Sequence, residues 1–202
     1  MSKGEQTRNR IVERAAPVFN THGFNGTSLA DLVRATGLEK GGIYNHFESK
    51  EALAVAAFDH AVQMASQRYA VAIEGKQHAL DRLLTIVEIF AQQATEPWIP
   101  GGCPIANIAC EASDTLPMLR AHAQTAMIDL QKLIGSNVKR GVLADELRPD
   151  ADPYTVASLV TALLEGALLL CLLLDDLAHM QRAIDHISAY LRGLALPSPE
   201  SS

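Results

Sequence analysis

Cysteine is scarce in this chain of 202 residues: there are three, an odd number at irregular spacing. That usage agrees with a reducing compartment, where thiols stay free. The first ten residues, MSKGEQTRNR, are polar and lack the apolar stretch of a secretory signal. We therefore expect a folded, soluble protein that stays in the cytoplasm.

The motifs of common enzyme classes are missing too. The chain has no phosphate-binding loop, no nucleophile elbow and no HExxH segment, and its seven histidines are scattered. These absences give no support to a catalytic site, a metal site or a cofactor, and we predict none of them. A cytosolic enzyme remains the weakest of the functional alternatives.

Charge is present but unevenly divided. The formal net charge of −6 argues against general affinity for nucleic acid. However, residues 1–50 hold seven Lys and Arg against five Asp and Glu, a net of +2, whereas residues 51–202 hold ten against eighteen, a net of −8. A basic N-terminal region in an otherwise acidic chain can present a positively charged surface to phosphates. Any contact with DNA is therefore expected in the first quarter of the chain.

Apolar residues recur at helical spacing along the chain, and no segment alternates as a strand does. We predict an all-α protein of about nine helices. Residues that start or stop helices accompany the periodic runs. In chain order they are Gly23, Ser28 with Asp31, Gly37, Ser49, Pro97, Pro104 and Asp152 with Pro153.

The stretch from Gly37 to Leu53 joins two short helices through a tight turn, and the second helix carries few apolar residues. This layout is typical of a helix-turn-helix whose second helix enters a DNA major groove. Glycine at positions 41 and 42 costs about 1 kcal/mol each relative to alanine. Because glycine has no side chain, the backbone at these positions can approach the sugar-phosphate edge of DNA closely. The alternative is a poor surface helix with Tyr44 packed on a neighbour.

Polar side chains in this stretch are candidate DNA contacts. Tyr44 and Lys50 offer hydrogen-bond donors to phosphates, and Lys40, Asn45 and His46 can reach base edges or phosphates. The predicted DNA-binding residues are Ser28, Lys40, Gly41, Gly42, Tyr44, Asn45, His46 and Lys50.

A long run of this stretch follows the pattern of a known protein family. Its residues are Gly37, Leu38, Ile43, Tyr44, Phe47, Lys50 and Leu53, preceded by the segment GFNGTSLADLV. Through them, residues 7–54 resemble the DNA-binding domain of the TetR family of bacterial regulators. Gly42 departs from the serine or threonine usual there, which removes a base or phosphate contact. Val33 departs from a frequent alanine, which is a packing adjustment.

The resemblance implies a particular organisation and activity. Residues 1–54 would form a three-helix helix-turn-helix domain for DNA binding, and residues 55–202 a helical domain for ligand binding and dimerisation. It implies a homodimer that binds a palindromic site on double-stranded DNA and a small-molecule effector that releases it. We therefore predict a transcriptional regulator, namely a repressor that a small-molecule ligand releases from its operator.

The last two helices carry apolar residues at alternating spacings of three and four, as an a/d seam does. The simplest arrangement pairs these helices with the same two from a second copy, as a four-helix bundle with two-fold symmetry. The family typically dimerises in this way. The predicted interface residues are Val160, Leu163, Ala167, Leu170, Leu174, Met180, Ile184, Ile187 and Leu191.

A membrane span is the rival interpretation of residues 156–174. The run is long enough, at 19 residues, to cross a bilayer. However, Glu165 lies within it, its flanks are acidic and no Lys or Arg cluster sets an orientation. We therefore expect no membrane contact.

The sixth helix, expected to run to about Ser113, carries a polar stripe at spacings of four, three and four: Cys103, Asn107, Cys110 and Asp114. One interpretation is that the thiols are small buried hydrophobes. Another is that the stripe lines a ligand cavity, and a third is that the thiols sense oxidants or metal. The predicted ligand-binding residues are Trp98, Cys103, Asn107, Cys110 and Glu111.

Overall fold

The computed structural model describes residues 2–111 and 116–197. In these ranges the regular structure consists of nine α-helices and one 3-10 turn, Gln92–Ala94, and contains no β-strand. The all-α prediction is therefore confirmed. The helices are α1 (Lys3–Gly26), α2 (Leu29–Thr36), α3 (Lys40–Tyr44), α4 (Lys50–Ile73), α5 (Ala79–Ala91), α6 (Pro104–Glu111), α7 (Pro117–Leu143), α8 (Pro153–Leu174) and α9 (Ala178–Gly193).

The first two helices have the boundary signals that the sequence predicts. At Gly23 the backbone leaves the helix with φ 72° and ψ 171°, a conformation that favours glycine. The rings of Phe19 and Phe24 stack across this break, with centroids 6.3 Å apart. α2 opens with a capping box, because the Ser28 hydroxyl accepts from the Asp31 N–H and the Asp31 carboxylate accepts from the Ser28 N–H.

Two later helices start at predicted caps as well. The Ser49 hydroxyl accepts a hydrogen bond from the Ala52 N–H at 3.0 Å as α4 begins. The Asp152 carboxylate accepts from the Thr155 N–H at 2.7 Å, and Pro153 occupies the first turn of α8. The hydrogen bonds from Thr155 hold the pKa of Asp152 below its ordinary value.

The chain divides into two compact units. Unit 1 comprises Met1–Ser66 and Pro97–Ala126, and unit 2 comprises Gln67–Glu96 and Met127–Ser202. The division falls inside α4 and α7 and assigns α6 to the same unit as the N-terminal helices. The predicted division of function at residue 54 is a separate matter and stays a prediction.

Unit 1 has its main core where α1, α2 and the start of α4 meet. Ile11, Leu32 and Leu53 are each at most 1% exposed there. Burying an aliphatic side chain of this size contributes about 1.5–3 kcal/mol. A second cluster of buried residues joins α4 to α7 within unit 1: Phe58, Leu116, Leu119, Ala123 and Ala126.

Unit 2 is organised around α8, which packs against α9 and α5. A polar contact adds to this packing, since the Arg82 Nε donates to the Asn137 Oδ1 at 2.5 Å. Asn137 is 3% exposed, so this bond satisfies a buried amide. The inward residues of α8 are Val156, Ala157, Val160, Thr161, Leu164, Ala167, Leu168 and Cys171.

The opposite face of α8 is apolar but exposed. Leu159, Leu163 and Leu170 are 47%, 39% and 40% exposed, and Leu173 is 73% exposed. α8 is the one helix in the described ranges long and apolar enough to cross a membrane, and 44% of its apolar window is buried. A core helix passes the same test, and the inward face of α8 is core. The outward leucines form an exposed apolar surface on α8.

Part of one prediction lies outside the described residues. The expected end of the sixth helix near Ser113 and the last member of its polar stripe, Asp114, both fall in positions 112–115. α6 is described from Pro104 to Glu111.

Candidate nucleic-acid interface

The turn between α2 and α3 is held by contacts to the end of α2. Gly37 adopts the left-handed conformation, with φ 70° and ψ 18°. Arg14 of α1 donates to the carbonyls of Ala35 and Thr36 at 3.5 and 3.4 Å. The Thr36 hydroxyl donates to the Leu32 carbonyl at 2.7 Å. The last carbonyls of α2 therefore find partners, and the direction in which α3 leaves the turn is fixed.

α3 has one buried face and one exposed face. Ile43 and Phe47 are 2% and 4% exposed, and the Arg8 guanidinium lies 4.7 Å from the centre of the Phe47 ring. On the other face the Lys40 ammonium lies 5.9 Å from the centre of the Tyr44 ring. The exposed predicted residues of this region are Lys40, Gly41, Tyr44 and Asn45, while Gly42 and His46 are half-buried.

The two glycines of α3 differ in their surroundings. A Cβ placed at Gly41 would meet no atom within 4 Å, whereas one at Gly42 would lie 3.4 Å from the Leu38 Cβ, an ordinary contact. Neither glycine is therefore required by close packing within the protein. An alanine at position 41 would be the better helix former by about 1 kcal/mol.

Ser28 is exposed, but its hydroxyl already has partners. It donates to an Asp31 carboxylate oxygen at 2.5 Å and accepts from the Asp31 N–H at 3.2 Å. The hydrogen bonds from Ser28 keep the pKa of the Asp31 carboxyl below its ordinary value. The observed contacts of Ser28 are those of a helix cap, and its contact with DNA stays a prediction.

Lys50, the first residue of α4, turns toward the protein. Its Nζ donates to the Phe24 carbonyl at 2.5 Å and lies 4.4 Å from the centre of the Phe24 ring. Burial lowers the pKa of Lys50, and the carboxylate of Glu111 opposes part of that shift. In this structure the Lys50 side chain therefore contacts the last turn of α1, and its contact with phosphate stays a prediction.

Asn107 joins α6 and the loop before it to α1. Its Nδ2, which carries two hydrogens, lies within hydrogen-bond distance of three acceptors: the backbone carbonyl of Asn20 at 3.1 Å, the Asn20 Oδ1 at 3.0 Å and the Gly101 carbonyl at 2.7 Å. The Asn20 Nδ2 in turn donates to the carbonyls of Pro100 and Gly102 at 2.8 and 3.0 Å. A Cβ at Gly101 would lie 2.5 Å from the Asn20 carbonyl oxygen, so only glycine permits this approach.

Glu111, the last residue of α6, binds the backbone just after the break in α1. Its two carboxylate oxygens accept from the N–H groups of Phe24 and Asn25, each at 2.7 Å. A Cβ at Gly23 would lie 2.7 Å from one of these oxygens. Gly23 therefore serves two purposes, because it permits the positive φ and leaves room for the carboxylate.

The other predicted ligand-binding residues are dispersed. Trp98 is half-buried, Cys103 is 6% exposed and Cys110 is exposed. In residues 2–111 and 116–197, no group of three or more His, Cys, Asp or Glu is placed to hold a metal ion.

A cleft lies between α1, α4, α6 and α7 of unit 1. The space not filled by protein atoms is about 400 Å³, a volume that includes the open solvent at the mouth of the cleft. Of the five residues predicted to bind a ligand, Asn107 and Glu111 line this cleft. The rest of the lining is mainly apolar: Ala16, Phe19, Phe24, Ala54, Ala57, Phe58, Ala61, Ile108 and Leu119.

Burial divides the predicted dimer seam into two groups. Leu163, Leu170 and Leu174 are exposed on α8, whereas Ile184 on α9 is half-buried. The others are buried within unit 2 of a single chain, where α8 packs on α9 and α5: Val160, Ala167, Met180, Ile187 and Leu191. Most of the apolar residues with this alternating spacing therefore pack inside the protomer, and the exposed leucines lie beside them on α8.

Several contacts of this region have no signal in the sequence. Arg14 is an ordinary surface residue by pattern, and nothing around Asn20 distinguishes it from other polar helix residues. The adjacent glycines at positions 101 and 102 are typical of a loop, and such a pair does not indicate which backbone it approaches.

Comparison with known proteins identifies the fold and its family. Residues 11–57 match the family of bacterial regulatory proteins of the tetR type, and residues 79–187 match the tetracyclin repressor-like C-terminal domain. A TetR transcriptional regulator from Chloroflexus aurantiacus is 40% identical, with a TM-score of 0.92 over 96% of this chain and 98% of the other. A TetR regulator from Cytophaga hutchinsonii is 34% identical, with a TM-score of 0.90 over 98% and 99%.

A more distant structure extends the comparison of the fold. The TetR family regulator CifR, complexed with a 26-base-pair operator duplex, is 20% identical, with a TM-score of 0.77 over 92% of this chain and 95% of the other. The two domain matches and the two closer structures together cover the helix-turn-helix and the helices that follow it. This chain therefore belongs to the TetR family of DNA-binding transcriptional regulators.

Proposed function

We propose that the protein is a homodimeric repressor that binds a palindromic operator and is released from it by a small molecule. The observation that carries this proposal is the two-sided character of α3. Ile43 and Phe47 anchor the helix in the core, while Lys40, Tyr44 and Asn45 stay exposed on a surface that is open above Gly41. A helix that enters a DNA groove needs one face packed on the protein core and the opposite face accessible to DNA.

The polar residues of α3 and of the turn that follows it have distinct expected roles on DNA. Lys40 and Tyr44 donate to phosphates, which positions the protein without reading sequence. Asn45 and His46 reach base edges, where each good contact contributes about 1–3 kcal/mol of discrimination. The open space above Gly41 lets the backbone approach the sugar-phosphate edge. The bound operator of CifR is consistent with this use of the fold.

Dimerisation is proposed to use the outward leucines of α8. An exposed leucine row on an otherwise core-forming helix is costly to leave in water, and a second copy related by a two-fold axis can cover it. Pairing of two protomers then provides two recognition helices for the two half-sites of a palindrome. The exposed members of the predicted seam, Leu163, Leu170 and Leu174, lie in this row.

The DNA-binding proposal is tested with a duplex recovered by selection from random-sequence DNA. We expect a palindromic consensus and one dimer per duplex. Lys40→Ala should weaken binding to every sequence and reduce the slope of log K against log salt by about 0.9, as expected for one lost phosphate contact. Failure to recover any enriched sequence would contradict the proposal and return an enzyme to consideration.

The effector is proposed to be an apolar or aromatic small molecule that acts on unit 1. The cleft lined by Asn107 and Glu111 has apolar walls and a few polar groups, which suits such a ligand. Trp98 is the only tryptophan, so its fluorescence reports on the neighbouring loop. A compound that releases DNA should change this emission, and Asn107→Ala should weaken its effect. Release with unchanged emission and an unchanged Asn107→Ala response would place the effector site elsewhere.

We also propose that the protein acts in the cytoplasm as a regulator without catalytic activity. Its membership of a family of transcriptional regulators supports both statements, because such proteins act where DNA is. Fractionation of cells that carry a tagged chain at its native level tests the location.

A further inference from the structure

The cleft of unit 1 has one ionisable side chain among the described residues that line it, the carboxylate of Glu111. The uncharged polar side chains of the lining are those of Asn20 and Asn107. No lysine, arginine or histidine of the described part of the chain belongs to the lining. A charged ligand that enters the cleft therefore meets a negative group on its walls and no positive one.

The hydrogen-bond donors of these polar side chains are already occupied. The Asn20 Nδ2 donates to the carbonyls of Pro100 and Gly102 at 2.8 and 3.0 Å, which uses both of its hydrogens. The Asn107 Nδ2 has three oxygen atoms within reach, between 2.7 and 3.1 Å, for its two hydrogens. These oxygens also decide the orientation of the Asn107 amide, because its nitrogen and not its oxygen must face them. A ligand that needs a donor from these side chains finds none.

Acceptor capacity, in contrast, remains in the cleft. A carboxylate has about four acceptor positions, and the two oxygens of Glu111 accept one N–H group each, from Phe24 and Asn25. The Asn107 Oδ1 accepts no hydrogen bond from the residues that the structure describes. The polar part of the cleft is therefore complementary to a ligand group that donates hydrogen bonds, and the charge of Glu111 favours a donor that is a cation.

The apolar part of the lining includes three phenylalanine rings, which suit a cation as well as a hydrocarbon. The rings of Phe19 and Phe24 stack with their centroids 6.3 Å apart, and Phe58 is 6% exposed. The face of an aromatic ring attracts a positive charge. The protein itself uses this attraction beside the cleft, because the Lys50 ammonium lies 4.4 Å from the centre of the Phe24 ring. The aromatic walls and the acceptors of the cleft thus favour the same class of ligand.

We propose that the cleft of unit 1 binds a small organic amine in its protonated form, with the ammonium group donating to Glu111 and Asn107 and an apolar body against the phenylalanine rings. This inference rests on the proposed effector site and names the chemical class of its ligand. The space of about 400 Å³ includes open solvent at the mouth, so the ligand is a small one. Carboxylates and phosphates are rejected, since they would meet the charge of Glu111 without a side-chain donor to compensate it. A neutral hydrocarbon fits the walls but leaves the acceptors of the cleft unpaired.

The test measures the binding of three probes to the full chain without DNA, by isothermal titration calorimetry at neutral pH. The probes are phenethylamine, phenethyl alcohol and phenylpropionate, which have similar apolar bodies and are a cation, a neutral molecule and an anion at this pH. Phenethylamine should bind about tenfold more tightly than the alcohol, the ratio expected from one charge-assisted hydrogen bond. The Lys50 ammonium already offsets part of the charge of Glu111, so we expect no larger ratio. Phenylpropionate should bind more weakly than the alcohol.

Two variants connect this preference to the cleft. Glu111→Gln removes the charge and keeps one acceptor oxygen, so phenethylamine should lose most of its advantage over the alcohol while the affinity for the alcohol changes little. Glu13→Gln removes the same charge from an exposed position of α1 outside the lining, so the advantage of phenethylamine should persist. Far-ultraviolet circular dichroism and thermal unfolding show whether each variant folds.

Three results would overturn the proposal: binding of the alcohol or of phenylpropionate as tight as that of the amine, an undiminished advantage of the amine in Glu111→Gln, or no binding of the amine at millimolar concentration. If Glu111→Gln does not fold, the order of the three affinities in the wild type decides. Because no DNA is present, these outcomes do not depend on operator binding. A protein that prefers the amine through Glu111 and yet binds no duplex would contradict the proposed function and support this inference.

Discussion

Both units of this protein have apolar cores, but α6 of unit 1 and α8 of unit 2 are attached to their neighbours by different means. In unit 2, α8 packs on α9 and α5 through rows of buried aliphatic side chains. In unit 1, α6 is attached to α1 largely by side chains that bind backbone groups, such as Asn107 on Asn20 and Glu111 on Phe24. Apolar packing is strong and tolerant of direction, whereas a hydrogen bond to a backbone group is directional and fails after a small displacement. The attachment of α6 is therefore expected to be more sensitive to a small displacement than the packing of α8.

The largest effect is expected from a charge in the apolar core of unit 2. Val160 is 2% exposed, so Val160→Asp buries a carboxylate that has no partner and should cost several kcal/mol. We expect loss of cooperative unfolding by circular dichroism and aggregation. A soluble, helical dimer of Val160→Asp would show that this position does not lie in the apolar core. It would contradict the view that apolar packing holds α8 in unit 2.

A charge on the exposed face of the same helix should have a different result. Leu170 is 40% exposed, so Leu170→Asp should leave the protomer folded while placing unpaired charges in the proposed dimer interface. Sedimentation velocity should show helical monomers, and operator affinity should fall. Leu143→Asp is the matched control, because Leu143 is 77% exposed on α7. An intact dimer in Leu170→Asp would remove this face of α8 from the interface.

The same contrast explains which parts of the structure the sequence could predict. Periodicity records apolar burial, so the helices and their order follow from it, and caps such as Ser28 and Asp152 follow from local chemistry. The bond between Glu111 and Phe24 spans 87 residues and leaves no periodic trace. Periodicity also could not say whether Val160 and Ile187 face α-helices of their own protomer or of a second one. Both arrangements require the same spacing of apolar residues.

A smaller effect separates folding from binding within unit 1. Gly41→Ala introduces a Cβ that meets no protein atom within 4 Å, and alanine is the better helix former. We therefore expect thermal stability to be unchanged or to rise by up to about 1 kcal/mol. Operator affinity should nevertheless fall by about tenfold, or 1.4 kcal/mol, because the methyl group occupies the space proposed for the sugar-phosphate edge. Gly193→Ala, also without an atom within 4 Å at its Cβ, is the control in unit 2.

An unchanged affinity in Gly41→Ala would mean that DNA does not approach this backbone. The DNA-binding surface would then have to be moved along α3 toward Asn45 and His46. A loss of stability in the same variant would contradict the open surroundings of Gly41 and make its effect on binding a consequence of misfolding.

The smallest effect is an acid-dependent loss of stability at two helix caps, one in each unit. Hydrogen bonds from Ser28 and from Thr155 lower the pKa of Asp31 and of Asp152, respectively, from the ordinary value of 3.8. A carboxyl group with a lowered pKa in the folded state stabilises the protein fully above pH 3.8, and this contribution disappears as the pH falls through the folded-state pKa. Asp152→Asn keeps a good capping side chain but does not titrate. At fixed protein concentration, the urea midpoint of Asp152→Asn should therefore fall less steeply than that of the wild type as the pH drops below about 4. The urea midpoint of Asp31→Asn should likewise fall less steeply than that of the wild type, and operator binding gives a second readout for this cap in unit 1. If the wild type and both variants show the same dependence of the midpoint on pH, neither cap is the source of the acid-dependent loss of stability.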